Sequence, residues 1–186
     1  MKRLVDLLFG SFFLIFLAIP MLIISILIRL TSKDSSLYWS DRVGKNSVIF
    51  KMPKFRSMKV ETPDVPTHLL RNPDSYLSPI GSFLRHTSLD ELPQLFSVIK
   101  GDMSLVGPRP VLYNQVDLLE LREEKGIDKL LPGITGWAQV NGRDEISIFD
   151  KVALEVEYLN RQSFWFDMKI ILMTLLKVIK RDGVSH

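Results

Sequence analysis

Two adjacent carboxylates, Asp90 and Glu91, sit in the stretch TSLDELPQLFSVIKGDMSLVGPRP (87–110), among apolar residues and ahead of a stiff Gly-Pro-Arg-Pro corner. Such a pair has a structural use. Ser88-Leu89-Asp90-Glu91 fits a capping box with Ser88 at N-cap and Glu91 at N3, and acids in a first helical turn suit the helix dipole. Pro93 weakens that use, because it would stand at the fifth helical position, where its missing N–H is needed and its ring clashes. The helix start is thereby pushed to Asp90 or beyond. The other use is chemical. An ionised carboxylate next to a phosphate can attack phosphorus, and a divalent ion such as Mg²⁺ can screen the repulsion between them. Backbone N–H groups at a helix start favour the anion. Arginines are then wanted to bind the phosphate oxygens in pairs. The sequence offers Arg85, Arg109 between two prolines, and Arg143 just after Asn141-Gly142. No P-loop, GxGxxG, HExxH or GxSxG motif occurs.

A second concentration of charge precedes the pair. Residues 41–59 carry Arg42, Lys45, Lys51, Lys54, Arg56 and Lys59 against Asp41 alone, a local +5 that could meet lipid headgroups or substrate phosphates. For any single one of these residues a solvated strand face is the simpler explanation. The chain as a whole is +3, and that excess lies entirely in residues 1–33, which hold Lys2, Arg3, Arg29 and Lys33 against Asp6. The folded body is neutral, which argues against nucleic acid as a partner. Basic residues beside an apolar segment point to a membrane surface.

That segment, LLFGSFFLIFLAIPMLIISILI (7–28), has 22 residues and no charge. At about 1.5 Å per residue a helix of this length is about 33 Å long, enough to cross a hydrocarbon core. It is too long for a cleaved signal peptide and no small-x-small site follows it. Pro20 lies near its middle, where the ring removes one hydrogen bond and clashes with the carbonyl of Phe16, so a break is expected there. The basic flanks are balanced and give no direction. Two geometries fit equally: a kinked transmembrane helix, and a re-entrant helix that returns to the face it entered.

The remaining elements must position the carboxylates. The 186 residues suit one core of ordinary size, and the absence of cysteine excludes disulfides and thiolate metal sites. Residues 36–52 read as a β-hairpin around Gly44-Lys45-Asn46. Residues 60–78, with three prolines, read as a loop or short helix. Residues 79–100 read as an interrupted helix with Leu89, Leu92, Phe96 and Ile99 on one face. Charged amphipathic helices are expected over 114–125 and 147–161, joined by a long glycine-rich connection over 126–145. A connection of that length in a small domain is usually functional. The final apolar stretch, within 163–183, is too short and too charged to span. Its Phe164-Trp165-Phe166 cluster and basic end suit a helix lying in the membrane interface, with a buried core helix an equal alternative.

Three motifs in order, KFRSM (54–58), TSLDELPQLFSVIKGDMSLVGPRP and PGITGWAQVNGR (132–143), resemble the bacterial sugar transferase family, the small monotopic phosphoglycosyl transferases. The likeness covers nearly the whole chain and is greatest to capsule- and O-antigen-type members. It implies a mostly helical α+β fold. A re-entrant membrane helix over 1–33, broken at Pro20 with both ends facing the cytoplasm, would pack with a small cytoplasmic catalytic domain over 34–186. That domain would contain the β-hairpin and interfacial amphipathic helices. Where the family break reads Ser-Pro, this chain has Ile19-Pro20.

The resemblance also implies a reaction. Asp90 would attack the β-phosphate of a UDP-sugar, release UMP and carry the phosphosugar, which polyprenol (undecaprenyl) phosphate then removes. Glu91 would act as the base for the acceptor, and Mg²⁺ would sit by Asp90. The family's basic residues fall on Lys54, Arg85, Arg109 and Arg143, and Arg56 within KFRSM is a further candidate for substrate binding. The implied place is the cytoplasmic face of the bacterial inner membrane, with membrane lipid as a partner and a homo-oligomer left open. The resemblance leans toward an N-acetylated 6-deoxyhexosamine as the sugar. Two rival readings are a metal-dependent phosphohydrolase with Asp90 and Glu91 as ligands, and a non-enzymatic membrane-anchored scaffold.

Overall fold

A computed structural model describes residues 1–32, 35–63, 72–142 and 146–180, with the side chains of 179 and 180 excepted. The fold is mostly helical α+β with two small sheets. Helices α1 (Lys2–Phe16) and α2 (Ala18–Ser32) form the N-terminal arm. No single described helix is long and apolar enough to cross a membrane, but this pair is so when taken together, and it is bent by 57°. The break expected at Pro20 falls at Leu17 instead. Pro20 is the third residue of α2, in a first turn that does not need its N–H. The chain bends one turn upstream, next to the Phe16 carbonyl that its ring would strike, while Met21 N–H still reaches the Leu17 carbonyl at 2.9 Å.

The hairpin forms as expected and runs three residues further. β1 (Leu37–Val43) and β2 (Ile49–Phe55) pair antiparallel, with Asp41 opposite Lys51 and Tyr38 opposite Lys54. Asn46 and Ser47 turn the corner at φ 54° and 60°. Pro53 is tolerated because β2 is the sheet edge, in the order β2-β1-β4, where a missing N–H breaks no ladder. Not anticipated are the third strand, β4 (Val111–Leu112), and a second sheet in which β3 (Ser104–Val106) lies parallel to β5 (Gly133–Thr135).

The interrupted helix over 79–100 is two helices around a tight turn: α3 (Gly81–His86), a 3₁₀ turn at Leu89–Glu91, and α4 (Gln94–Lys100). The expected apolar stripe does not hold across it. Leu89 and Leu92 pack inward, but α4 buries Gln94, Leu95, Ser97 and Val98 and leaves Phe96 exposed. A 3₁₀ turn advances about 120° per residue rather than 100°, so a pattern in phase before Pro93 is out of phase after it.

The connection over 126–145 is not structureless. It contains a 3₁₀ turn at Ile127–Lys129, β5 and the short helix α6 (Trp137–Asn141). Helices α5 (Val116–Glu124), α7 (Ile148–Arg161, capped by the Ser147 hydroxyl) and α8 (Phe164–Lys180) complete the chain. α8 has one buried and one exposed face. Phe166 and Ile170 enter the main core with Met52, Leu95, Val98, Met103 and Val106, while Trp165, Leu172, Leu175 and Leu176 are exposed. The expected domain boundary at 33/34 and Arg143 lie outside the described residues.

The N-terminal arm is stitched to the body by charge. Lys2 Nζ donates to Asp167 at 2.7 Å and to the Tyr158 hydroxyl at 3.2 Å. Arg3 donates to the carbonyls of Val98 (2.5 Å) and Ile99 (2.7 Å) at the end of α4. Buried Asp6 accepts from the Ser104 hydroxyl and the Leu105 N–H, both at 3.0 Å. The two basic residues that the sequence offered only as topology signals are therefore structural contacts.

Candidate active site

The capping box does not form. Ser88 adopts a left-handed conformation, φ 54°, and its side chain makes no cap hydrogen bond. This conformation is uncommon for a non-glycine residue. It reverses the chain just before the 3₁₀ turn, so Asp90 and Glu91 leave the backbone about 120° apart. Glu91 accepts from Lys54 Nζ at 2.9 Å and lies 3.6 Å from Arg109 Nη2. Asp90 is only partly buried as a residue, and its side chain makes no hydrogen bond to any described residue.

Burial is the main influence on Asp90 and pushes its carboxyl up to about 6; Lys54 pulls it back down, Glu91 pushes it up, and Arg85 and Arg109 pull it down. Desolvation disfavours the carboxylate anion. Four sequence candidates therefore converge on Asp90: Glu91, Lys54, Arg85 and Arg109. The cations come from three separate elements: Lys54 from β2, Arg85 from the last turn of α3, and Arg109 from the loop between β3 and β4. Arg85 also donates to the Met58 sulfur at 3.0 Å. Arg56 does not join them. It turns to the Ser35 carbonyl (3.0 Å) and the Leu37 carbonyl (3.5 Å) and lies over the Tyr38 ring. Neighbours on a strand point to opposite faces two by two, and Arg56 lies two residues beyond Lys54 where β2 has already ended, so the alternation no longer places it. The helix start contributes less than expected, since α4 is short and its N-cap is Pro93, two residues beyond the dyad.

The Gly-Pro-Arg-Pro loop is held by its oxygens. Two prolines leave Pro108 and Pro110 without donors, and each carbonyl finds one elsewhere. Gly133 N–H donates to Pro108 O at 2.9 Å, Arg122 Nη2 to Arg109 O at 3.0 Å, and Arg42 Nη1 to Pro110 O at 3.4 Å. Gly107 N–H in turn reaches Thr135 O at 2.9 Å. The glycines of this loop and of PGITG permit the approach: a Cβ on Gly107 would lie 2.3 Å from Leu131 O, and one on Gly133 2.1 Å from Gly107 N.

Arg122 itself is buried, with Nε 2.8 Å from Glu155 Oε2 and a second bond from Nη2 to Oε1. Sequence reasoning missed this pair. One signal was present: Glu155 falls on the apolar face of α7 with Val152 and Tyr158, all three buried.

Whether the site suits a divalent ion turns on its donors. Both carboxylates offer hard oxygen, which suits Mg²⁺. Among the described residues no group of three or more His, Cys, Asp or Glu could cage a metal. Asp90 would be the residue to hold such an ion, which would draw its other ligands from phosphate oxygens and water, as Mg²⁺ commonly does.

The chain is similar to known sugar transferases over most of its length. The chain is 41% identical over 189 residues to an uncharacterized sugar transferase, EpsL, of Bacillus subtilis, covering all of this chain and 91% of that protein. It is 38% identical over 185 residues to the UDP-glucose:undecaprenyl-phosphate glucose-1-phosphate transferase of Escherichia coli, covering 95% of this chain and 40% of that protein. It is 39% identical over 162 residues to the galactosyl transferase CpsE of Streptococcus agalactiae, covering 81% of this chain. The chain spans about two fifths or less of the length of these last two relatives. The family model for bacterial sugar transferases matches residues 1–181, and the chain belongs to that family.

Proposed function

We propose that this chain transfers a sugar-1-phosphate from a UDP-sugar to polyprenol phosphate, in two steps through a covalent phosphosugar on Asp90. The observation that carries the reading is the unequal treatment of neighbouring carboxylates: Glu91 is tied to Lys54 and Arg109, while Asp90 faces the same cations without a hydrogen bond to a described residue. In the first step an Asp90 oxygen attacks the β-phosphorus. The new P–O bond forms as the bond to the bridging oxygen breaks, and UMP leaves with the electron pair. In the second step a phosphate oxygen of polyprenol phosphate attacks the same phosphorus, the bond to Asp90 breaks, and the carboxylate is regenerated.

Glu91 takes the acceptor's proton when it arrives protonated, and Lys54 tunes it. Arg85 and Arg109 bind phosphate oxygens, and Arg143 is assigned a similar task on its motif alone. Arg56 is assigned to packing the hairpin rather than to the donor. When bound at Asp90, Mg²⁺ supplies charge neutralisation at the phosphate oxygens. Passing the group through the enzyme separates two substrates that mix poorly, one soluble and one lipid.

The bent α1–α2 pair is proposed to be re-entrant, entering and leaving on the cytoplasmic face of the bacterial inner membrane. Its support is the 57° bend and the apolar side chains exposed along both helices, among them Leu8, Phe12, Ile15, Ile19 and Leu22. The exposed apolar face of α8 would lie in the same interface. The proposed donor sugar is an N-acetylated 6-deoxyhexosamine, and the test must include glucose and galactose because the relatives' names carry them. Purified chain, Mg²⁺ and a panel of these three UDP-sugars should give one UMP per enzyme without acceptor and continuous UMP release with undecaprenyl phosphate. Continuous release of UMP and free sugar phosphate without acceptor would instead make it a hydrolase.

A further inference from the structure

We infer that Arg122, clamped by Glu155, is a positioning residue that sets where the Arg109 guanidinium stands against the carboxylate pair; this rests on the transferase reading of the site. Arg109 is the only residue of Gly-Pro-Arg-Pro whose side chain reaches the described site, and 3.6 Å separates it from Glu91. Its position depends on the backbone that carries it, and that backbone lacks donors on both sides of Arg109. The Arg109 carbonyl is fixed by Arg122 Nη2 at 3.0 Å. Arg122 is fixed in turn by two bonds to Glu155, and both residues are buried, 6% and 2% exposed.

A buried ion pair is weak evidence for stability, since well-packed apolar residues of similar volume often serve as well or better. What an apolar pair cannot do is donate to a carbonyl. The third hydrogen bond, out of the pair and into the Arg109 backbone, is the feature that packing alone leaves unexplained. It links α5 and α7, neither of which carries a residue of the proposed chemistry, to the loop that does. A small displacement of a positioned group can cost about a hundredfold in rate, so the link should be visible in turnover.

The test uses the full chain in detergent or nanodiscs and reads UMP release together with thermal stability. The double variant Arg122→Met/Glu155→Leu removes the donor and keeps an apolar, filled interface. Its expected melting temperature is at or near that of the unmodified chain, with kcat/KM lower by roughly ten- to a hundredfold. Adding Arg109→Ala to it should cost much less than Arg109→Ala costs alone, because coupled residues are not additive. Arg122→Lys, which leaves Glu155 with a charged partner but lacks the guanidinium fork, should lose turnover in the same way and covers the case in which the apolar pair does not fold. The inference is overturned if either folded variant keeps unmodified kcat/KM, or if Arg109→Ala costs as much in its background as in the unmodified chain. Absence of UMP release from the unmodified chain would instead overturn the transferase reading, and the inference with it.

Discussion

The N-terminal arm and the Asp90 corner both place charged groups against apolar surface, and they treat them in opposite ways. At the start of the arm three charged side chains end on the protein's own groups, with only the Oδ1 oxygen of Asp6 engaged among the described residues. Lys2 has Asp167 and Tyr158, Arg3 has two carbonyls at the end of α4, and Asp6 accepts a hydroxyl and an N–H. At the corner Lys54, Arg85 and Arg109 converge on a carboxylate whose own pKa is pushed up to about 6, chiefly by burial. On the proposed function, Lys2 and Arg3 are held by the protein's own groups, whereas Asp90 is desolvated and kept for a substrate.

The sharpest contrast should come from substituting one carboxylate on each side. Asp90→Asn should abolish UMP release, by at least about a thousandfold on the precedent of removed nucleophiles. It should not destabilise the fold. The native carboxyl is protonated more readily than an unfolded one, so stability falls as pH rises from about 3.8 toward about 6 and stays lower above that window. At neutral pH the asparagine removes a desolvated anion, and a thermal melt should show an equal or higher midpoint. Asp167→Asn, by contrast, breaks a partly buried pair with Lys2 and should cost about 1–3 kcal/mol of stability, with turnover per folded enzyme reduced less than tenfold below the melting transition.

Next in size are the cations. Arg109→Ala and Lys54→Ala should each lower kcat/KM by roughly a hundredfold, in line with the loss of one preorganised electrostatic group. A Lys2→Met change in the arm should leave that parameter within a fewfold.

The smallest and most specific effect is on pH. With ionised Asp90 as the proposed nucleophile, kcat/KM should fall on the acid side with an apparent pKa near 6. Lys54 pulls that pKa down, so Lys54→Ala should move the acid limb to higher pH. A Lys2 substitution should not move it.

How much of this was legible in the sequence depended on whether the signal was local. The helix over 147–161 announced itself by its amphipathic pattern, and the hairpin by its turn residues; both stand within a few residues of expectation. The carboxylate pair and Arg85 and Arg109 were singled out by their types and order, and the structure brings them together. Phase was lost where geometry changed without a residue to mark it. The 3₁₀ turn moved the buried face of α4 away from Phe96, and the break moved from Pro20 to Leu17. The two-stranded parallel sheet was invisible because each strand has three residues. Arg56 looked like Lys54 in the sequence and turned the other way, toward the Ser35 and Leu37 carbonyls. Arg122 and Glu155 lie 33 residues apart, and no local pattern connects them.

The central claim is that a side-chain oxygen of Asp90 bonds to phosphorus during turnover. Its most direct measurement is peptide mass spectrometry of enzyme quenched in acid after incubation with Mg²⁺ and UDP-sugar in the absence of lipid acceptor. The expected result is a sugar-phosphate adduct on the peptide that contains Asp90, lost on adding undecaprenyl phosphate and absent in Asp90→Asn. Turnover at full rate in enzyme that never carries such an adduct, or an adduct that persists in Asp90→Asn, would contradict it.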